Sequence, residues 1–153
     1  MLTISWSIEG EKQLVRRLRG IRVEAADWRP AFDQASRELR GIFANDVFQS
    51  QGRAIGTRWP PLKPSYAAQK ARQYPGKGML EATGQMRQSF KRMFGPDQAA
   101  IWNTAEHFKY HQSNRPRRKL PRRMMMYLGH EQRSLVVKVF HTHWQRKIER
   151  VST

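Results

Sequence analysis

The chain has 153 residues and no cysteine, and its 29 lysines and arginines against 12 aspartates and glutamates give a formal net charge of +17. This length suits one domain; the lack of cysteine excludes disulfides and thiolate chemistry, and no apolar run approaches the ~20 residues that cross a bilayer. Charge is also unevenly placed: residues 1–52 are close to neutral, whereas 53–123 hold only Glu81, Asp97 and Glu106 as acids among a dense set of cations. A near-neutral part joined to a strongly cationic part points to a surface that meets nucleic acid or an acidic protein.

At the N-terminus Leu2, Ile4, Trp6 and Ile8 alternate with polar residues, a period of two that predicts a half-buried strand. No basic segment followed by a long apolar stretch is present there, so no signal peptide is expected and assembly in a cytoplasm is. After Gly10, residues 11–21 place Leu14, Val15, Leu18 and Ile21 on one helical face. Asp27 is a candidate cap for a second helix that tolerates Pro30 in its first turn. That helix keeps Phe32, Ala35, Leu39, Ile42, Phe43 and Val47 in phase, ends before Gly52, and is the longest regular element predicted.

Two glycines and three prolines make 51–64 irregular, with Trp59 and Leu62 as its anchors into the core. Pro64 suits the start of a short helix through Ala67, Ala68 and Ala71, and 74–78 read as a turn. Thr83 is placed to cap a further short helix containing Met86 and Phe90. Residues 99–104 read as a strand and 106–112 as one or two helical turns. From His130 onward apolar residues recur every four positions (Leu135 and Val136, Val139 and Phe140), an amphipathic C-terminal helix.

Between these last two helices lies the most distinctive stretch, 110–129. Tyr110, His111 and Gln112 are compact and polar-aromatic. Arg115, Arg117, Arg118, Lys119, Arg122 and Arg123 follow, punctuated by Pro116 and Pro121, which donate no backbone hydrogen bond and bias their predecessors away from helix. The basic segment therefore reads as an exposed loop. Met124 to Leu128 then form an apolar run expected in the core, as a strand or a helix start.

Catalytic chemistry finds no support in the residues. His107 and His111 have the spacing of metal ligands on a helix but lack a third ligand and a general-base carboxylate. His141 and His143 diverge on a helix. A nuclease would need clustered carboxylates to hold metals, and Asp97 and Glu106 make no such cluster. Neither a phosphate-cradling glycine loop nor a nucleophile elbow is present. No cofactor and no enzyme activity are expected.

The order of features is nevertheless distinctive. Trp59-Pro60-Pro61-Leu62, with Pro64 and Tyr66 behind it, precedes the block Leu80-Glu81-Ala82-Thr83-Gly84-Gln85-Met86-Arg87-Gln88-Ser89-Phe90. Tyr110-His111-Gln112 and then Leu120-Pro121-Arg122-Arg123-Met124-Met125 lead into the final helix. Over roughly residues 30–148 this order resembles the phage virion morphogenesis (tail completion) family of tailed bacteriophages, the group that includes such proteins from Mu-like phages. Ser113-Asn114 stand where family members often carry a glycine, and the loop that follows is unusually rich in arginine.

The resemblance implies a small α+β subunit without catalytic residues, assembled into a ring, commonly a hexamer, at the head-proximal end of the tail in the virion. There it would complete the tail and enable head–tail joining, with neighbouring neck and tail proteins as partners and no membrane. Combined with the elements above, the expected fold is a single domain over 1–153. It has a small antiparallel sheet packed against helices, a long amphipathic helix in the N-terminal half, a C-terminal helix and long loops. In such a subunit Trp59, Leu62, Thr83 and Gly84 hold the central loops. Tyr110, His111, Gln112, Arg122 and Arg123 are expected at a subunit contact. Arg115, Arg117, Arg118 and Lys119 face the phage DNA passing through the ring or an acidic neighbour. The rivals to this reading are a stand-alone basic nucleic-acid-binding protein and a phage DNA-processing nuclease.

Overall fold

Asp27 opens the first long helix by accepting a hydrogen bond from the Arg29 amide at 3.0 Å. This satisfies one of the donors that a helix N-terminus leaves free. Trp28 occupies the cap position itself, and Pro30 lies in the first turn, where a missing N–H is harmless. In the computed structural model, which describes residues 3–6, 27–114 and 120–151, this helix, α1, runs Arg29–Gly41. It continues through a π-helical turn, Ile42–Asp46, into α2, Val47–Ser50. An apolar residue every four positions drifts sideways round an α-helix of about 3.6 residues per turn. The wider π turn offsets that drift, so Leu39, Phe43 and Val47 all stay buried, with Phe48 beside them.

The helical run stops where Gln51 and Gly52 adopt left-handed backbone, φ 54° and 87°. Gly52 is required: a Cβ there would collide with the Thr57 carbonyl and lie 2.6 Å from the Trp59 ring. The chain then folds back through a 3₁₀ turn, Arg53–Ile55, and the Trp59 amide donates to the Gln51 carbonyl at 2.8 Å. The irregular segment expected over 51–64 is thus a tight loop that carries Trp59 into the core, 3% exposed. Helix α3 follows at Pro64–Gln73 and the single turn α4 at Gln85–Gln88, entered through Gly84 at φ 74°.

Three strands form one antiparallel sheet in the order β1–β3–β2. They are β1 Thr3–Trp6, β2 Phe90–Phe94 and β3 Ala99–Asn103. Ile4 pairs with Ile101, and Phe90 with Asn103. In central β3, Ala99, Ile101 and Asn103 are buried while Ala100 and Trp102 are half-exposed, the alternation of a strand with one face on the core. Helix α5 spans Phe108–Gln112 and α6 spans His130–Val151.

α1 packs on β2, β3 and α6. Phe43, Phe48, Phe90, Phe108, Ile101 and Met125 lie in the main core, Phe90 meeting Phe108 edge-to-face at 5.8 Å. A second cluster seals α1 to α6: Phe32 meets Phe140 edge-to-face at 4.8 Å, and Trp28 stacks on Trp144 at 5.9 Å. The α+β architecture, with its small antiparallel sheet, long N-terminal helix and C-terminal helix, is as expected.

Two elements differ from the sequence reading. Phe90, expected in a helix with Met86, begins strand β2, because α4 ends after one turn and the backbone from Phe90 pairs along β3. Arg92 in that strand reaches back to α1, donating to Asp33 at 2.6 Å, and Arg40 of α1 donates to the Phe90 carbonyl at 3.0 Å. Of the apolar run 124–128, Met125 and Met126 are in the core, Met124 and Leu128 are partly buried and Tyr127 is exposed; the run is neither strand nor helix, and side chains, described below, bond the backbone of 124–126. The helix expected over 11–21 lies outside the described residues, as do Leu2 and Ile8 at the ends of the predicted first strand.

Candidate functional site

A polar junction stands where the two ends of the basic segment meet. Gln112, 5% exposed at the end of α5, supplies both halves of its amide to the methionine run. Its Oε1 accepts from the amides of Met125 at 2.8 Å and Met126 at 3.1 Å, and its Nε2 donates to the Met126 carbonyl at 2.6 Å. Trp59 adds a donor, Nε1 to the Met124 carbonyl at 2.6 Å. These side-chain bonds do for 124–126 what a neighbouring strand would do, which is why an extended apolar run is buried here without joining the sheet.

Arg123 ties the third segment in. It is 4% exposed, with Nε donating to the Pro60 carbonyl at 3.0 Å and Nη2 to the Pro61 carbonyl at 3.1 Å. The planar guanidinium fork meets two successive carbonyls with donors fixed in one plane, a geometry a lysine ammonium lacks. The Arg123 amide donates to the His111 carbonyl at 3.0 Å, and Arg122 Nε donates to the Gln112 carbonyl at 3.1 Å. The chain before and after the basic segment is therefore clamped together at its base.

The junction is electropositive. Burial, with Arg123 and His107 nearby, pushes the His111 imidazole down to about 4, so it is neutral at physiological pH. Its Nδ1 is buried with no hydrogen-bond partner in the structure. Lys70 of α3 is buried too, its Nζ donating to the Gly78 carbonyl. Burial lowers its ammonium pKa; Glu81 opposes that shift and Arg123 adds to it.

The expected site residues divide clearly. His111, Gln112 and Arg123, expected at a subunit contact, are turned into their own chain, where their polar groups brace adjacent segments. Tyr110 is half-buried under the Lys109 ammonium, 5.1 Å from its ring centre, and Arg122 is exposed. Trp59 is a core anchor and Leu62 packs partly buried beside the core. Thr83 is exposed, its Oγ1 3.4 Å from the Gln85 amide, and Gly84 provides the left-handed entry to α4. Arg115, Arg117, Arg118 and Lys119 lie outside the described residues.

Sequence reasoning missed several buried polar braces: Lys70, Asn103, which bonds the Met86 carbonyl at 2.7 Å, and Gln132, which bonds the Ala54 carbonyl at 2.7 Å. A lysine on the inner side of an alanine-rich helix was the one available signal. Among the described residues no group of three or more histidines and carboxylates is placed to hold a metal. No helix among them is long and apolar enough to cross a membrane.

The arrangement braces the chain on either side of the basic segment. Comparison with characterised proteins and with solved structures gives no significant match. Comparison with protein families matches residues 10–145 to the phage virion morphogenesis family. That match takes in the tryptophan-proline loop, the junction and most of α6, and the chain belongs to the phage virion morphogenesis family.

Proposed function

We propose that this protein is a structural subunit of the phage neck. It assembles as a homo-oligomeric ring, six copies being the expected number, at the head-proximal end of the tail, and enables the tail to join the filled head. The family match carries this reading: a virion-assembly family implies a role in building the particle and association with the virion. The junction supports it in physical terms. Fixing the chain on either side of a cationic segment with hydrogen bonds suits a contact surface of defined position, whereas a solubilising charge run needs no such bracing.

The sheet adds support for self-association. β1 and β2 are both edge strands, and at the end of β2 Met93 and Phe94 are 52% and 38% exposed. Edges that no other described strand pairs, with exposed apolar side chains beside them, are surfaces that a neighbouring subunit can cover. Mass measurement of the purified protein, with electron microscopy of virions, tests the proposal. The expected result is a symmetric ring at the tail end. One copy per particle, outside any ring, overturns it.

A further inference from the structure

Between Asp46 and Glu81 the chain contains no acidic residue, while Arg53, Arg58, Lys63, Lys70, Arg72 and Lys77 are all basic. Lys70 is buried; the other five cations are exposed. None of those five takes part in an ion pair among the described residues. The middle of this stretch is α3, and Lys70 is the one residue of α3 that is buried. No described helix or strand packs extensively against α3. A helix without a buried apolar stripe gains little from tertiary packing. On the side from which Lys70 turns inward, Tyr66 and Tyr74, each four residues away, are left 52% and 39% exposed.

Charge complementarity favours an anionic partner for this surface. A second copy of the chain fits poorly: each copy carries +17, and Asp33, an acid of the near-neutral part, is already taken by Arg37 and Arg92. An acidic protein could use Tyr66 and Tyr74 as anchors, but it fits less well because protein interfaces are depleted in lysine, and Lys63 and Lys77 are exposed on this surface. Between its cations α3 offers mainly alanine, serine and glutamine. Phosphate needs only donors and positive charge, and guanidinium, ammonium and tyrosine hydroxyl groups all supply them.

We infer that α3 and its flanking loops form a docking surface for a nucleic-acid backbone. Arg58, Lys63, Arg72 and Lys77 supply its exposed cations, Arg72 from the face opposite Lys70, and Tyr66 and Tyr74 contribute hydroxyl donors on the Lys70 side. Phosphate contacts position a duplex without reading its bases, so binding is independent of sequence and falls steeply with salt. The inference rests on the charge and exposure of α3 and not on ring formation.

The test compares two triple variants of the full chain that lose equal charge from exposed positions. One carries Lys63→Ser, Arg72→Ser and Lys77→Ser; the other carries Lys91→Ser, Lys138→Ser and Arg146→Ser, on β2 and α6. Binding to a mixed-sequence DNA duplex is followed by fluorescence anisotropy over a series of salt concentrations. The α3 variant is expected to bind at least about tenfold more weakly than wild type, with a log–log salt slope shallower by about 2 to 3, from the loss of phosphate contacts. The β2/α6 variant should shift both quantities much less. Acetylation footprinting of the wild-type protein should show DNA protecting Lys63 and Lys77 but not Lys91 or Lys138. Equal losses in the two variants, or no selective protection, overturn the inference. So does an α3 variant that binds DNA normally but fails in particle assembly, which would identify an acidic protein as the occupant.

Discussion

Gln112 shows how one side chain can stand in for a strand. Its amide satisfies two backbone donors and one acceptor of the methionine run. Leaving a buried polar group unpaired costs about 1–3 kcal/mol, so Gln112→Ala should destabilise the protein by roughly 3 kcal/mol or more. Denaturant unfolding measures this directly; an unchanged midpoint would mean that apolar contacts alone hold 124–126 in place. Beside it, His111 makes stability depend on pH. Its folded-state pKa, about 4, is below the ordinary 6.5 because burial disfavours the charged ring, with Arg123 and His107 adding to the effect. The unfolded chain therefore takes up a proton first as pH falls. Stability from this group is intact above about 6.5, declines between 6.5 and 4, and is fully reduced below that, by up to about 3 kcal/mol. His111→Phe should flatten the pH dependence in that window; if the wild-type slope persists in the variant, another group is responsible.

Among the elements, α1 and β2 are joined by charge as well as by packing. Asp33 on α1 faces Arg92 of β2 and Arg37 of its own helix. Burial raises the Asp33 carboxyl, but hydrogen bonding and attraction from the two arginines outweigh it, and the net pKa is below 3.8. Stability from this contact is present above the unfolded-state value and is lost as pH falls through the lower folded-state value. The stability gap between wild type and Asp33→Asn should therefore shrink on acidification below about pH 4; a gap constant down to strong acid would exclude the ion pair as its source. The elements also show what the sequence could reveal. α1 and α6 were legible because their apolar spacing follows the helix period, and Gly52 and Pro64 because backbone chemistry marks their positions. β2 was not: Phe90, Arg92 and Phe94 make a strand only because β3 is alongside and Asp33 waits for Arg92, and both are long-range facts. The same limit hid the junction. Arg123 read as a charge needing a partner, and nothing local says that its partners are the Pro60 and Pro61 carbonyls. Trp59 is the intermediate case, its size marking it for the core. Trp59→Ala should cost about 3–5 kcal/mol and yield insoluble or unfolded protein; a folded variant defective only in assembly would place Trp59 at an interface.

For the whole molecule the question is what the basic segment does for the particle. Its flanks are held by hydrogen bonds: exposed Arg122 to the Gln112 carbonyl, and buried Arg123 through its amide to the His111 carbonyl and its guanidinium to Pro60 and Pro61. Burying Arg123 carries a desolvation penalty that a free charge run would avoid, so the bracing points to a position that matters. We propose that Arg115, Arg117, Arg118 and Lys119 act as a unit against an acidic surface, either DNA or a neighbouring ring. Replacing all four by serine removes the charge and leaves the bracing residues Gln112, Arg122 and Arg123 intact, so the subunit should fold with unchanged thermal stability. Particles assembled with this variant should accumulate separate heads and tails, with joining impaired. Repeating the assembly across a range of salt separates the two targets. A DNA contact weakens steeply with salt through counterion release, whereas a contact with a protein ring persists on particles emptied of DNA. Infectious particles forming at the normal rate would show that the four cations only solvate the surface, and the virion role would then have to rest on other faces of the subunit.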